Sequence, residues 1–379
     1  MNTEAKSVFL DYNSTTPVQD EVMEAMLPYF AGHFGNPSSS HSFGQQAQIA
    51  IDKARMQLAS LIGAKADEII FTGSGTESNN TAIIGIADKI KSKGNHIITT
   101  STEHSSVYNT CRFLESRSFD ITYLSVDSNG IVSKESLEKA ITDKTILISI
   151  ILANNETGVI QNVRELSSIA KNKGILLHSD AVQAAGKIPL EVNDLGIDLL
   201  SISGHKIYAP KGIGALFIKR GLSLSPLIHG GGQEKKLRSG TENVPAIVGF
   251  GKAAELAKNN LSENSIKLLK IRDLFEQKIL NLNLPVKING SGVPRVPNTS
   301  NISFIGSDSQ SLLVKLDLNG ICVSSGSACG SASLETSRTL KAMALTDSEQ
   351  LGTIRFSFGL QTTIEEIDFT IEVLRKIVS

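Results

Sequence analysis

Short apolar runs alternate with longer amphipathic stretches along residues 68–202, and this alternation limits the fold more than any other feature of the sequence. The apolar runs have the length of strands. The stretches between them have the length and the apolar spacing of helices. Such alternation is typical of parallel strands joined by crossover helices, so it predicts an α/β protein whose mostly parallel sheet is covered by helices on both faces. The predicted strands are residues 68–71, 96–101, 120–126, 145–152, 175–178 and 198–202, and the predicted helices are residues 76–90, 105–118, 133–141 and 163–173.

Composition argues against two classes of partner. The chain has 379 residues and a formal net charge of -1, so no basic excess predicts direct binding to nucleic acid. No apolar run approaches the roughly 18 residues that a membrane span needs. The first six residues do not form a basic region followed by an apolar one. We therefore expect a soluble cytoplasmic protein.

Three cysteines are odd in number and too widely spaced for a disulfide framework. Cys111, Cys322 and Cys329 form no CxxC pair and have no histidine-rich partner, which also argues against a structural zinc site. We expect no metal. The pattern leaves room for one reactive thiol.

Polar residues gather directly after the predicted strands. An isolated Asp or His at such a position is more often a cap or a turn residue than a catalyst. Here four clusters follow strands that run parallel, and the carboxyl ends of parallel strands meet in one crevice, where ligands bind. A functional site at this edge is therefore the better interpretation. The clusters are Glu103 and His104, Asn154 and Asn155, Asp180 and Gln183, and Ser203 to Lys206.

Lys206 lies where the apolar run 198–202 gives way to Gly, Pro and Lys. A lysine in such a crevice loses its proton more easily than a solvated one and can form a Schiff base with a carbonyl, which is the chemistry of pyridoxal phosphate enzymes. The alternative is a surface lysine that ends a strand, and the lysine alone would favour that alternative.

A glycine turn at residues 72–75 joins a predicted strand to a predicted helix. Free backbone N–H groups and the helix dipole make such a junction a binding site for anions. The spacing matches neither the Walker pattern nor GxGxxG, so no nucleotide is specified. An ordinary turn with Thr76 near the helix cap is an equally good interpretation of this segment alone.

Taken together, these residues resemble the cysteine desulfurases of the NifS and IscS kind, which are fold-type I pyridoxal phosphate enzymes of the class V aminotransferase group. The similarity covers nearly the whole chain, from Leu10 to Ser357. Its most specific parts are Ser203-Gly204-His205-Lys206, His178-Ser179-Asp180-Ala181-Val182-Gln183 and Ser324-Ser325-Gly326-Ser327-Ala328-Cys329.

The resemblance implies roles for the residues around the cofactor ring. Lys206 would hold pyridoxal phosphate through its amine and later move the substrate's α-proton. Asp180 would pair with the pyridinium nitrogen and keep it protonated. Gln183 would hydrogen-bond the ring oxygen, and His104 would lie over the ring face as an acid or base.

The resemblance also implies ligands for the phosphate and the substrate. Gly75, Thr76, Ser203 and His205 would bind the phosphate with the helix N-terminus. Asn13, Asn155 and Arg355 would hold the carboxylate of the substrate, L-cysteine.

A glycine-rich segment, residues 229–241, resembles the family segment that reaches into a partner subunit. Thr241 would there contact the phosphate of the other site, which makes the enzyme an obligate homodimer. Its glycine content alone would favour a flexible surface loop.

The C-terminal third has a different pattern of predicted elements, because its helices alternate with short strands. The helices are residues 256–280, 309–316 and 364–378, and the strands are residues 301–305 and 354–357. This pattern suits the smaller α+β domain of the fold. We expect a large cofactor-binding domain at residues 16–258, and a small domain formed by residues 1–15 and 259–379.

Cys329 is the expected nucleophile. It lies in a segment rich in Ser, Gly and Ala, at about residues 323–337, which we expect to be mobile. We expect Cys111 to be a core residue of a helix and Cys322 to be part of a strand. By the resemblance, Cys329 would take the substrate's sulfur as a persulfide, leaving alanine, and pass it to an iron–sulfur scaffold or a tRNA thiolation enzyme.

Three activities remain to be separated. A desulfurase needs both Lys206 and Cys329. A selenocysteine lyase or a class V aminotransferase needs only Lys206. A catalytically silent relative would be expected to have lost Lys206 or Asp180, and both are present. Gly330 and Thr336 depart from the commonest family forms beside Cys329, which leaves the fit to a sulfur acceptor open.

Overall fold

A seven-stranded sheet is the centre of the structure, a computed structural model that describes residues 7–325 and 337–378. The strand order is β2-β8-β7-β6-β5-β3-β4. Only β8 breaks the parallel arrangement, because it pairs antiparallel with both β2 and β7. The mostly parallel α/β sheet predicted from the sequence is confirmed. The strands are β2 (Ile69–Thr72), β3 (His96–Thr100), β4 (Asp120–Leu124), β5 (Thr145–Ser149), β6 (Leu176–Asp180), β7 (Leu199–Ser203) and β8 (Gly214–Ile218).

Helices cover both faces of this sheet, which explains why its strands are continuous apolar runs in the sequence. Neighbouring residues of one strand point to opposite faces, so Ile97 and Ile98 belong to two different apolar clusters. One cluster contains α4 and α5, and the other contains α3, α7 and α9. The helices of this part are α1 (Asp20–Met26), α2 (Pro28–Ala31), α3 (Ser42–Leu61), α4 (Gly75–Ile90), α5 (Ser105–Glu115), α6 (Lys134–Ala140), α7 (Val163–Asn172), α8 (Val192–Leu195) and α9 (Val244–Asn259).

A separate apolar cluster forms around two small sheets in the C-terminal part and the start of the chain. Phe275 lies at its centre, with ring centroids 4.7 Å from Phe356 and 5.3 Å from Phe358. We propose that this cluster is the core of the small domain and that the division falls near residue 259. Its elements are β1 (Val8–Phe9), α10 (Leu261–Leu280), β9 (Val286–Ile288), β10 (Thr299–Phe304), α11 (Ser309–Leu318), β11 (Ile321–Cys322), β12 (Thr353–Ser357) and α14 (Ile364–Ile377). Two short helices, α12 (Arg338–Ala342) and α13 (Asp347–Leu351), precede β12, and Leu340 of α12 belongs to a further small apolar cluster that packs against Val126.

Three predicted elements differ from the structure by three residues or more, and one of them is the helix predicted at residues 105–118, which is α5 and ends at Glu115. The helix predicted at residues 256–280 is two helices, because α9 ends at Asn259 and α10 begins at Leu261. The first packs on the large sheet and the second on the small cluster, so the chain has to turn between them. Strand β5 ends at Ser149, three residues before the predicted end, although Leu152 still donates a backbone hydrogen bond to Asp180.

Among the helices of the described residues, none is both long and apolar enough to span a membrane. Within the same residues, no group of three or more His, Cys, Asp or Glu side chains could hold a metal ion.

Candidate active site

Lys206 ends a single turn of 3-10 helix, Gly204–Lys206, that follows β7 at the edge where the parallel strands end. This tight turn needs glycine, because a Cβ on residue 204 would lie 2.6 Å from a side-chain carbon of Ile213. The Lys206 Nζ donates to the carbonyl oxygens of Asn13, at 2.5 Å, and Ser14, at 2.6 Å. The lysine therefore points back toward the N-terminal segment.

Asn13 connects several of the predicted site residues. It is buried, and its carbonyl oxygen also accepts from the Gln183 Nε2 at 2.9 Å. Its own Nδ2 donates to the carbonyl oxygen of Asn155 at 3.3 Å and to the Thr299 hydroxyl at 2.8 Å. The structure thus brings Asn13, Gln183, Asn155 and Lys206 together.

Asp180 lies at the end of β6 as a buried carboxylate. Its Oδ2 accepts from the Asn79 Nδ2 at 2.7 Å and its Oδ1 from the Val182 N–H at 2.9 Å. No lysine, arginine or histidine of the described residues forms an ion pair with it. A buried carboxylate without a cation is costly unless a ligand supplies the positive charge.

His104 caps α5 and is joined to Asp180 through two polar side chains. Its Nδ1 lies 2.7 Å from the Ser106 Oγ and accepts from the Ser106 N–H. The Asn79 Nδ2 in turn donates to the Ser106 Oγ at 2.8 Å. Because a backbone N–H occupies Nδ1, the neutral ring carries its proton on Nε2.

The N-terminus of α4 lies against Val182, which follows β6, and against Ser203, the last residue of β7. Ser74 caps this helix by accepting from the Glu77 N–H at 3.1 Å. A Cβ on Gly75 would lie 2.7 Å from the Val182 Cγ2 and 3.2 Å from the Ser203 Cβ, so only glycine leaves the helix end open toward them. This is the anion-binding geometry that the glycine turn predicts.

The other predicted phosphate ligands differ in their surroundings. Ser203 is buried beside Gly75, whereas Thr76 is exposed on the first turn of α4. His205 is half-buried, with its Nδ1 3.2 Å from the Thr15 hydroxyl. Burial lowers the pKa of His205 to about 4, and the positive charge of Lys206 acts in the same direction, so the ring is neutral at pH 7.

Arg355 lies on β12 and is 2% exposed. Its guanidinium donates to the Asp11 Oδ1 at 2.6 Å and to the carbonyl oxygen of Asn155 at 2.9 Å. Among residues 7–325 and 337–378, its Nε finds no hydrogen-bond partner although it is buried. The structure therefore places Arg355 next to Asn155, as predicted, with one donor still to be satisfied.

Two predicted site residues are not part of this arrangement. Thr241 is exposed, two residues before the Asn243 cap of α9. Nearby, the Arg238 Nε donates to the Glu77 Oε1 at 3.0 Å, on the first turn of α4. Cys329 lies outside the described residues, with most of its predicted mobile segment. The other two cysteines lie where the sequence predicted them, Cys111 buried on α5 and Cys322 in β11.

Sequence reasoning missed three residues of the site, of which Asn79 and Lys187 are buried and Asp11 is half-buried. Asn79 bridges Asp180 and Ser106, and Asp11 pairs with Arg355. Lys187 donates to the Gln183 Oε1 at 2.6 Å. Its spacing of four residues from Gln183, in an otherwise apolar stretch, was the one signal that could have revealed it.

Glu103 was predicted as part of the site and has an unusual environment. Its Oε1 accepts from the Ile151 N–H and the Thr100 hydroxyl, both at 2.8 Å, while its Oε2 has no partner in the part of the chain that the structure describes. Burial raises the pKa of Glu103 to about 8, and the negative charge of Asp180 adds to the increase. The side chain is therefore largely a neutral acid at pH 7.

These residues fit the pyridoxal phosphate that the resemblance implies. Asp180 is a buried carboxylate with no ion-pair partner among the described residues, which suits a protonated ring nitrogen. The open helix end at Gly75 suits a phosphate. Lys206 supplies the amine at the same edge of the sheet.

Comparison with known proteins agrees with this geometry. The family model for aminotransferase class V matches residues 8–369. A cysteine desulfurase IscS of Dictyoglomus turgidum is 50% identical over 373 residues, covering 98% of this chain and 95% of the relative. A cysteine desulfurase IscS of Methanosarcina thermophila is 48% identical and covers 100% of this chain and 93% of the relative.

Solved structures give the same result. A structure described as a NifS-like protein has a TM-score of 0.92 at 38% identity and covers 98% of this chain and 99% of that one. A NifS-like protein from Rickettsia africae has a TM-score of 0.88 at 38% identity, with 98% and 99% covered. A structure described as SspA in complex with cysteine has a TM-score of 0.83 at 37% identity, with 93% and 99% covered.

Proposed function

Because the chain belongs to the aminotransferase class V family, we propose that its own residues at the carboxyl edge of the sheet carry out the sulfur transfer of a cysteine desulfurase. The protein is a pyridoxal phosphate-dependent cysteine desulfurase, which converts L-cysteine to L-alanine. The observation that supports the assignment of the site is the meeting of Lys206, Asn13 and Gln183 at one edge of the sheet, with the buried Asp180 on the adjacent strand.

Lys206 and Asp180 have complementary roles. Pyridoxal phosphate, when bound, supplies an electron-accepting ring to a substrate attached through its amine. Asp180 holds a proton on the ring nitrogen, because its buried charge is balanced only when that nitrogen is positive. Lys206 would hold the cofactor through its amine, and its Nζ would take the proton from the substrate's α-carbon.

Arg355 and Asn155 bind the substrate's carboxylate. Arg355 is fixed by Asp11 and by the carbonyl oxygen of Asn155, so its guanidinium does not have to be ordered when the substrate arrives. Its buried Nε gains a partner if the carboxylate approaches from that side. The ion pair with Asp11 keeps the charge of Arg355 balanced between turnovers.

His104 can donate a proton from Nε2. Ser106 holds the opposite nitrogen as an acceptor, which fixes the tautomer and the ring orientation. A fixed donor at this position suits the step in which the substrate carbon that loses sulfur takes up a proton.

Cys329 receives the sulfur. Its thiolate bonds to the sulfur of the substrate while the substrate's bond between Cβ and sulfur breaks. The electron pair of the broken bond stays on the carbon, which is then protonated to become the methyl group of alanine. Cys111 does not fit this role, because burial raises the pKa of its thiol to about 12. Cys322 is also less suitable, since burial raises its pKa.

The enzyme acts as a homodimer. An apolar surface formed by Leu27, Phe30, Phe34 and Phe43 is exposed, and Phe34 is 69% exposed. The Phe34 and Phe43 rings lie 5.5 Å apart, so the surface is continuous there. Exposed aromatic surface of this kind is typical of an interface. Light scattering should give the mass of two chains, and Phe34→Asp should shift that mass toward one chain.

The persulfide serves a protein acceptor, either an iron–sulfur scaffold or a tRNA thiolation enzyme. Sulfur bound to a cysteine side chain has to reach its acceptor by exchange with a second thiol, so both acceptors would present a cysteine to Cys329. Transfer of sulfur labelled with ³⁵S to each candidate acceptor, with and without Cys329→Ser, distinguishes the two.

The activity is tested by following alanine and sulfide release from L-cysteine in the presence of a reductant. Wild type should release both products in equal amounts, Lys206→Ala should release neither, and Cys329→Ser should stop sulfide release. Sulfide release at the wild-type rate by Cys329→Ser would instead favour a lyase, in which the loop thiol takes no part.

A further inference from the structure

Lys187 is a buried lysine that the mechanism above does not use. It follows Gly186 after β6 and is 7% exposed. Among residues 7–325 and 337–378, no carboxylate forms an ion pair with it. A buried ammonium without an anion costs several kcal/mol in a folded protein, so a lysine at this position needs an explanation.

The contacts of Lys187 fix the orientation of one amide. The Nζ donates to the Gln183 Oε1 at 2.6 Å and, at 3.4 Å, to the Asn13 Oδ1. An ammonium can only donate, so the oxygen of Gln183 has to face Lys187. The Gln183 Nε2 then points away, donates to the carbonyl oxygen of Asn13 at 2.9 Å and has a second N–H to offer.

The charges around Lys187 are positive. Burial lowers the pKa of Lys187 to about 7, and the positive charges of Lys206 and Arg355 act in the same direction. The phenol side chains of Tyr12 and Tyr208 line the same cleft as Lys187 and Lys206. A group of cations with few anions favours a ligand that brings negative charge, as a ring oxygen and a carboxylate do.

We propose that Lys187 is a positioning residue that locks Gln183 with its Nε2 toward the ring oxygen of the cofactor and stabilises negative charge on that oxygen. The proposal rests on the proposed function, because it requires pyridoxal phosphate in the site. Without Lys187 the amide is held only by the carbonyl oxygen of Asn13, and an amide that rotates presents its oxygen, which repels an anionic ring oxygen. The hydrogen bond from Gln183 is also strengthened when its own oxygen accepts from a cation.

The test compares wild type with Lys187→Met and Lys187→Gln as holoenzymes. The pH at which the visible absorbance of the bound cofactor changes should rise by about 0.5–1 pH unit in both variants, because the Gln183 donor that favours the deprotonated form is no longer held toward the ring oxygen. The dissociation constant for pyridoxal phosphate should rise several-fold. Lys173→Met, which changes an exposed lysine at the end of α7, should match wild type in both measurements.

A double-mutant cycle tests whether Lys187 acts through Gln183. Lys187→Met combined with Gln183→Ala should shift the absorbance midpoint no further than Gln183→Ala alone. Additive shifts would overturn the proposal. So would a folded Lys187→Met with the wild-type midpoint and affinity, or loss of the fold in both Lys187 variants, because the lysine would then be purely structural. If wild type itself bound no pyridoxal phosphate, the proposed function would fail before this inference was tested.

Discussion

Replacing Glu103 with glutamine should change how the stability of the protein depends on pH. The carboxyl group has an ordinary pKa of 4.5, and burial raises it to about 8 in the folded protein. Between these values the unfolded chain is ionised while the folded chain keeps its proton. Folding therefore takes up a proton, and wild type loses about 1.4 kcal/mol of unfolding free energy for each pH unit in this window.

The expected size of the effect follows from the two pKa values. Between pH 5 and pH 8 the single group removes about 3–4 kcal/mol from wild type, and glutamine, which does not titrate, removes nothing. Urea unfolding at several pH values should show that the unfolding free energy of Glu103→Gln rises by about that amount relative to wild type as the pH rises. Glu138→Gln, at an exposed position on α6, should run parallel to wild type. If unfolding free energy changed with pH in the same way for Glu103→Gln and wild type, Glu103 would not be a buried, neutral carboxyl group.

Three further changes have consequences that can be worked out from the structure. Glu234→Ala should cost about 3–5 kcal/mol in urea unfolding, because it leaves the charge of Arg55 and the N–H of Phe71 without their buried partner, and a loss below 1 kcal/mol would contradict this. In urea unfolding, the unfolding free energy of His178→Gln should rise relative to that of wild type by about 1.4 kcal/mol per pH unit as the pH falls from 6.5 to 4.5. In wild type, burial lowers the pKa of His178 to about 3, so stability present above pH 6.5 is lost on acidification, and equal slopes would count against a neutral histidine. Arg355→Lys should raise the KM for L-cysteine roughly 10- to 100-fold in steady-state kinetics, and an unchanged KM would remove Arg355 from the substrate site.

The parts of the site that the sequence predicted are those that a strand end determines locally. An apolar run followed by Asp180 or by Ser203 to Lys206 places those residues at the same edge of a parallel sheet, whatever the rest of the chain does. The glycine turn before α4 is also local, since a helix N-terminus presents its N–H groups without help from distant residues.

The parts that the sequence did not predict depend on contacts between distant segments. Asn79 meets Asp180 across 101 residues, and Asp11 meets Arg355 across 344. No spacing rule connects such positions. Similarly, the helix predicted at residues 256–280 contains no proline to mark the break at Asn260, because the break follows from packing on two separate cores.

The most direct test of the account is the location of the sulfur after one turnover. The protein is mixed with L-cysteine without reductant, digested and analysed by mass spectrometry of its cysteine-containing peptides. The account predicts that the peptide with Cys329 gains the mass of one sulfur atom, and that Lys206→Ala gains none. Alanine release with the added sulfur on Cys111 or Cys322, or on no cysteine, would contradict the assignment of Cys329 as the acceptor.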